Sequence, residues 1–178
     1  MKSRFLIPTL PATLLIAACS NLGLGGPITA EAPLAPTKGN TVSGTVKFTE
    51  VDGGVLVDAS VTGLSPGKHG FHIHEKGDCS APDATSAGGH FNPTGKPHGE
   101  PAKGDHHLGD MPMLVADANG NAKLGTVLEG LTISGKGNGN GNIVGRGVIV
   151  HAAPDDFTTQ PTGNSGARVA CGVIARVK

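Results

Sequence analysis

The sequence predicts an all-β domain interrupted by two long functional loops, and three observations predict it. Among 178 residues, 29 Gly and 13 Pro demand many turns and leave little room for long helices. From Val42 onward apolar residues alternate with polar ones, the period of a half-buried strand. Glu75 to Pro112 and Ala152 to Ala167 concentrate Gly, Pro, Asp and His without core periodicity, and such stretches inside a compact domain usually carry function.

The elements follow in chain order. Met1-Lys-Ser-Arg4 is a positive start and Phe5 to Ala18 an apolar run too short to span a bilayer, so residues 1–18 read as a secretory signal. Leu15-Ile-Ala-Ala-Cys19-Ser20 resembles the bacterial lipobox, in which the Cys becomes the acylated first residue. An ordinary cleaved signal with an incidental Cys is the alternative, and Ile16 and Ala18 fit its small-x-small site less well. The protein is therefore expected in the periplasm or cell envelope, held to a lipid bilayer through Cys19. In the lipoprotein sorting pattern Ser20 favours the outer membrane. Residues 19–39 are rich in Gly, Pro, Ala and Thr with no apolar period and read as a flexible linker. The domain is expected over 40–178.

Val42, Gly44, Val46 and Phe48 then alternate with Thr41, Ser43, Thr45 and Lys47, and Asp52-Gly53-Gly54 permits a tight reversal into Val55, Val57, Ala59 and Val61. The domain is expected to open with this hairpin. Further strands are predicted at His69 to His74, Met113 to Asp117, Ala122 to Val127, Val144 to His151 and Arg168 to Ala175. With a formal charge of zero nothing in the sequence suggests a polyanion-binding protein, and no nucleic-acid partner is expected. With Cys19 set aside, Cys79 and Cys171 form an even pair in an oxidising compartment, which favours a disulfide over two free thiols.

His72-Ile-His74 sets two imidazoles on one face of a strand, ~7 Å apart along the backbone. A surface pair would be unremarkable alone, but His90, His98, His107 and Asp110 follow in the next loop and His151 ends a distant apolar strand. Seven N and O donors exceed one tetrahedral ion. They divide into two sites if one imidazole serves both: His98, His107, Asp110 and the bridge suit Zn²⁺, and the remaining all-nitrogen set suits Cu²⁺.

Gly70-Phe-His72-Ile-His74-Glu75, Gly89-His90-Phe-Asn-Pro93, His107-Leu-Gly-Asp110, Val148-Ile-Val-His151 and Gly163-Asn-Ser-Gly-Ala-Arg168-Val-Ala-Cys171-Gly-Val-Ile174 resemble, in order and spacing, the motifs of the copper-zinc superoxide dismutase family. The resemblance spans 40–178. It implies a Greek-key barrel or sandwich of eight antiparallel strands, an architecture known for this family. It also implies conversion of two superoxide ions to O₂ and H₂O₂ by copper redox cycling. Copper falls to His72, His74, His90 and His151, and zinc to His90, His98, His107 and Asp110. Arg168, a permanent cation with a rigid donor fork, is expected to hold superoxide. The bridging His90 is expected to take and return a proton, and Asp155 to orient one copper and one zinc imidazole. A homodimer is compatible with the family. His69 is expected to bond within its loop and His106 to be exposed.

The loop Phe157-Thr-Thr-Gln-Pro-Thr162 departs from the pattern by lacking the charges that eukaryotic members use to guide superoxide. Lys76, Lys96 and Lys103 are substitutes of the right sign, or simply solubility charges. A cupin is the rival enzyme, through His72-x-His74 and Pro93-x-Gly-x-x-His98, but leaves His107, Asp110, His151 and the cysteines unexplained. A non-catalytic copper or zinc storage or delivery domain is the other alternative; it would not need Arg168 before Cys171.

Overall fold

The computed structural model describes residues 26–136 and 140–177. The signal at 1–18, Cys19 and the start of the expected linker lie outside the described residues. The hairpin of β2 (Ser43–Val51) and β3 (Gly54–Thr62) turns through Asp52 and Gly53, the latter at φ +83°. A two-residue Asp-Gly loop suits the right-handed twist of paired strands, because glycine adopts positive φ without strain. Register follows the alternation: Val46, Phe48, Val55, Val57 and Val61 are buried while Lys47, Asp58 and Ser60 face out.

This hairpin does not open the domain. β1 (Thr29–Pro36) precedes it and pairs with β2 from Thr29↔Thr49 to Leu34↔Gly44. The expectation of a flexible linker through residue 39 therefore fails over 29–39: Ala30, Ala32 and Leu34 are buried in the core, and Lys38 N donates to Pro82 O at 2.8 Å. The period-two pattern is present but rests largely on alanine, and Pro33 and Pro36 disguise it, since proline is usually kept out of strand interiors.

The chain continues through β4 (Gly67–His69), β5 (Phe71–His74), β6 (Leu114–Ala116), β7 (Ala122–Glu129), β8 (Gly147–His151), β9 (Arg168–Val173) and β10 (Ala175–Arg176). All pairings between these strands are antiparallel, in the order β4-β6-β7-β3-β2-β1-β9-β8-β5, with β10 also on β1. Only Gly70 separates β4 from β5, so the two ends of this path are one stretch of chain and the sheet closes into a barrel. With β9 and β10 likewise divided only by Ile174, eight strands result, two of them broken. The connections from β3 to β4 and from β7 to β8 cross to non-neighbouring positions, which makes the order a Greek key.

Phe48, Phe71, Ile73, Leu114, Val148 and Val150 fill the barrel. A smaller apolar cluster lies outside it, where Ala84, Ala87, Ile149 and Cys171 pack beneath the loop after β5. The loops predicted at 75–112 and 152–167 correspond to the connections β5–β6 and β8–β9. A third connection, between β7 and β8, is fastened to β2: Glu50 accepts from Ile133 N at 2.7 Å and Ser134 Oγ at 2.6 Å.

Candidate metal centre

Strand alternation builds the first half of the site. Phe71 and Ile73 enter the barrel, so His72 and His74 emerge on its outer face, where the two long loops bury them. His151 ends β8, and His90 is brought against β5 by Phe91 N donating to Ile73 O at 2.8 Å and by a bridge between His74 and His90. One ligand atom from each of His72, His74, His90 and His151 lies within 4.8 Å of the others.

Their tautomers converge on one point. His72 Nε2 donates to Asp155 Oδ2 at 2.6 Å, His74 Nδ1 to Gly88 O at 2.9 Å and His151 Nδ1 to Gly166 O at 3.1 Å. What remains is His72 Nδ1, His74 Nε2, His151 Nε2 and His90 Nε2, all buried and all without a partner. Four converging buried acceptors with nothing to accept from are costly unless a cation resolves them. Burial, the dominant cause, keeps the three strand-borne rings neutral: it pushes His72 down to about 4, His151 to about 3 and His74 well below its ordinary value. An all-imidazole set fits copper.

The second half is built from loop. Asp110 Oδ1 stands 2.8 Å from His90 Nδ1, 3.0 Å from His98 Nδ1 and 3.4 Å from His107 Nδ1, and the Nδ1 atoms of His90 and His107 are 3.4 Å apart. Four ligands at ~2.0 Å around a tetrahedral zinc stand ~3.3 Å from one another, so these are the spacings of a coordination shell. The other carboxylate oxygen is occupied, accepting from His107 N at 2.9 Å and Gly99 N at 3.1 Å. Burial opposes the charge on Asp110, but hydrogen bonds from His90 and His98 outweigh it and hold the carboxyl well below the usual range. Burial also opposes a proton on His98, yet Asp110 and Asp155 together raise it to about 9.

Asp155 joins the halves: Oδ2 faces His72, while Oδ1 accepts from His98 Nε2 at 2.9 Å and Phe157 N at 2.7 Å. Arg168 lies at the edge of the first group. It donates to Ala84 O at 2.6 Å and to Gly88 O at 2.7 Å, and Gly88 O is the same carbonyl that orients His74. The loop supplying these carbonyls is tied to β9 by the Cys79–Cys171 disulfide, with Cα atoms 5.8 Å apart. Closing this 92-residue separation contributes ~4 to 5 kcal/mol in the chain-entropy account.

Every predicted ligand thus falls into one of two groups. Among the steering candidates, Lys96 pairs with Asp105 at 3.0 Å and Lys103 with Glu100 at 2.8 Å, which offsets their charge locally; Lys76 is exposed. His106, expected to be exposed, is half-buried, with Nδ1 facing Gly104 O at 2.7 Å. His69 does more than bond within its loop: Nε2 faces Ser65 O and Nδ1 faces the carbonyl of His151, each at 2.8 Å. Its signal was parity, because it shares the inward phase of Phe71 and Ile73. Arg146 escaped sequence reasoning; it stacks 3.6 Å over the Phe91 ring and donates to Glu75 O at 2.9 Å.

Comparison with known proteins agrees with this architecture. The family model described as copper/zinc superoxide dismutase matches residues 42–174. Superoxide dismutase [Cu-Zn] 2 of Aquifex aeolicus is 40% identical over 147 residues, covering 82% of this chain and 85% of that protein. The crystal structure of the clock protein EA4 superposes with a TM-score of 0.73 at 41% identity, covering 86% of this chain and 97% of that one.

Proposed function

The chain belongs to the copper/zinc superoxide dismutase family, and we propose that copper is held by His72, His74, His90 and His151 and zinc by His90, His98, His107 and Asp110. The reaction is that of the family, two superoxide anions and two protons giving dioxygen and hydrogen peroxide. The observation that carries the site assignment is the convergence of four partnerless buried imidazole nitrogens beside a second set in which His90, His98 and His107 gather around Asp110 Oδ1.

Bound copper supplies the one-electron acceptance and donation. Arg168 binds the substrate anion: its guanidinium is fixed by two carbonyls and carries no carboxylate partner among the described ion pairs, so its charge remains available. His90 Nε2 holds and returns the proton that reduced oxygen requires, while its Nδ1 stays with the zinc group. Asp155 accepts from Nε2 of both His72 and His98, which directs Nδ1 of each toward its own group.

The test is superoxide dismutation by purified protein loaded with copper and zinc, beside His151→Ala and Arg168→Ala. His151→Ala should fall to the copper-free rate. Arg168→Ala should keep one copper per chain yet turn over ~10- to 100-fold slower, the loss of a charged hydrogen-bonding partner. An unchanged rate in either variant would sink its assigned role.

The same reading puts the enzyme in the cell envelope, acylated at Cys19 and protecting that compartment. The lipobox-like segment supports it. Metabolic labelling with palmitate should mark the wild type and spare Cys19→Ser; equal labelling would reject the anchor.

A further inference from the structure

The loop that departs from the family pattern contacts His98 in three ways. Asp155 accepts a hydrogen bond from its Nε2, and Phe157 stacks on its imidazole with centroids 6.3 Å apart and planes at 19°. Gln160 pairs with its main chain: Oε1 accepts from His98 N at 2.8 Å, and Nε2 donates to His98 O at 2.9 Å. A primary amide that answers both main-chain groups of one residue acts as a one-residue strand partner.

His98 needs one. It is 3% exposed, and no strand or helix lies between the end of the 3₁₀ turn at Ala87 and the start of β6 at Leu114. Within this segment Asn92 pairs in the same way with Lys96, at 2.8 and 3.2 Å, but that clamp is internal to the loop. Gln160 reaches across 62 positions from the other long loop. Its loss would leave two main-chain groups of a nearly buried residue unanswered and free the segment to rotate. A ligand whose ring nitrogens are set by Asp110 and Asp155 but whose backbone drifts would aim Nδ1 away from the other three.

We infer that Gln160 is a positioning residue for the zinc group: it fixes the main chain from which His98 presents Nδ1, and so makes metal retention depend on the order of the loop between β8 and β9. The inference rests on the zinc assignment proposed above. It also gives Phe157 to Thr162 a task other than steering, in keeping with the absence of Lys and acidic residues there.

Full-length protein loaded with cobalt(II) or zinc in the second group would test it, with Gln160→Ala, the isosteric Gln160→Glu, and Thr159→Ala as control. Thr159 bonds Asp156 in the same loop and does not bond to His98. Both Gln160 variants should release zinc to a chelator ~10-fold faster and alter the visible cobalt spectrum. Thr159→Ala should match wild type in both readouts. Gln160→Glu keeps size and one acceptor, so it remains informative if Gln160→Ala folds poorly. Wild-type release and spectra in both Gln160 variants, or an equal change in Thr159→Ala, would overturn the inference. Lack of a tetrahedral cobalt spectrum in the wild type would overturn the zinc assignment and the inference with it.

Discussion

Three of the four imidazoles in the first group stand on strands β5 and β8, whereas all four ligands in the second stand in the loop between β5 and β6. The difference extends to what orients them. His74 and His151 are fixed by backbone carbonyls, and burial leaves the strand-borne rings neutral. The loop-borne set gathers around Asp110, and its His98 carries a proton that a metal must displace. Barrel register therefore prepares one site before any metal arrives, while the other depends on carboxylates and on the ion itself to hold a segment that packing does not.

Apart from His90, the described residue bonded to both groups is Asp155, and removing it is the strongest way to break the comparison. Asp155→Ala should lower the affinity of both groups by ~10- to 100-fold, as loss of a ligand-orienting carboxylate usually does. The loop-borne group should lose more, since β5 keeps His72 in place. Competition titrations with copper and zinc chelators read both values; an unchanged strand-borne affinity would deny that Asp155 sets the His72 tautomer.

Acidity separates the groups next. In metal-free protein His98 titrates near 9, so at neutral pH zinc binding must expel its proton, and affinity should climb ~10-fold per pH unit between pH 6 and 8. His72 and His151, at about 4 and about 3, are already deprotonated, so copper affinity should vary far less. Stability of the metal-free fold carries opposite signs. The raised His98 contributes fully below its ordinary 6.5 and loses that contribution as pH rises through 9. The depressed His72 and His151 make stability fall as pH drops from 6.5 toward 4. Calorimetry in buffers of different ionisation enthalpy reads the released proton directly; equal release from both groups would erase the distinction.

Legibility followed the same division. The hairpin β2–β3, the emergence of His72 and His74 on one face, and the cysteine pair were readable because period and parity are local properties of a sequence. The ligand sets and Asp155 were readable through motif resemblance, with spacing as its carrier. β1 was missed because its buried phase is written in alanine beside two prolines, and Glu50 because a carboxylate that caps a connection 83 positions away leaves no local trace. Gln160 and Arg146 were missed for that reason too: each acts on main chain or an aromatic face across loops, and nothing in the composition of a loop reveals which backbone it will meet.

The smallest effect tests whether loop strain serves the strand-borne site. Ala84 is held at φ 58°, a left-handed conformation that a non-glycine residue adopts at a cost of ~1 to 2 kcal/mol, and its carbonyl is the one that meets Arg168. Ala84→Gly relieves that strain but forfeits a fully buried methyl, ~0.8 kcal/mol, and adds unfolded-chain freedom of ~0.4 to 1 kcal/mol. The terms nearly cancel, so chemical denaturation should show a change of less than ~1 kcal/mol. Turnover should still fall ~2- to 3-fold, because a glycine can turn its carbonyl and loosen the guanidinium it aims. A large stability change with full activity would mean that the left-handed residue serves only packing against Ile149 and Cys171, and that Arg168 is positioned by Gly88 alone.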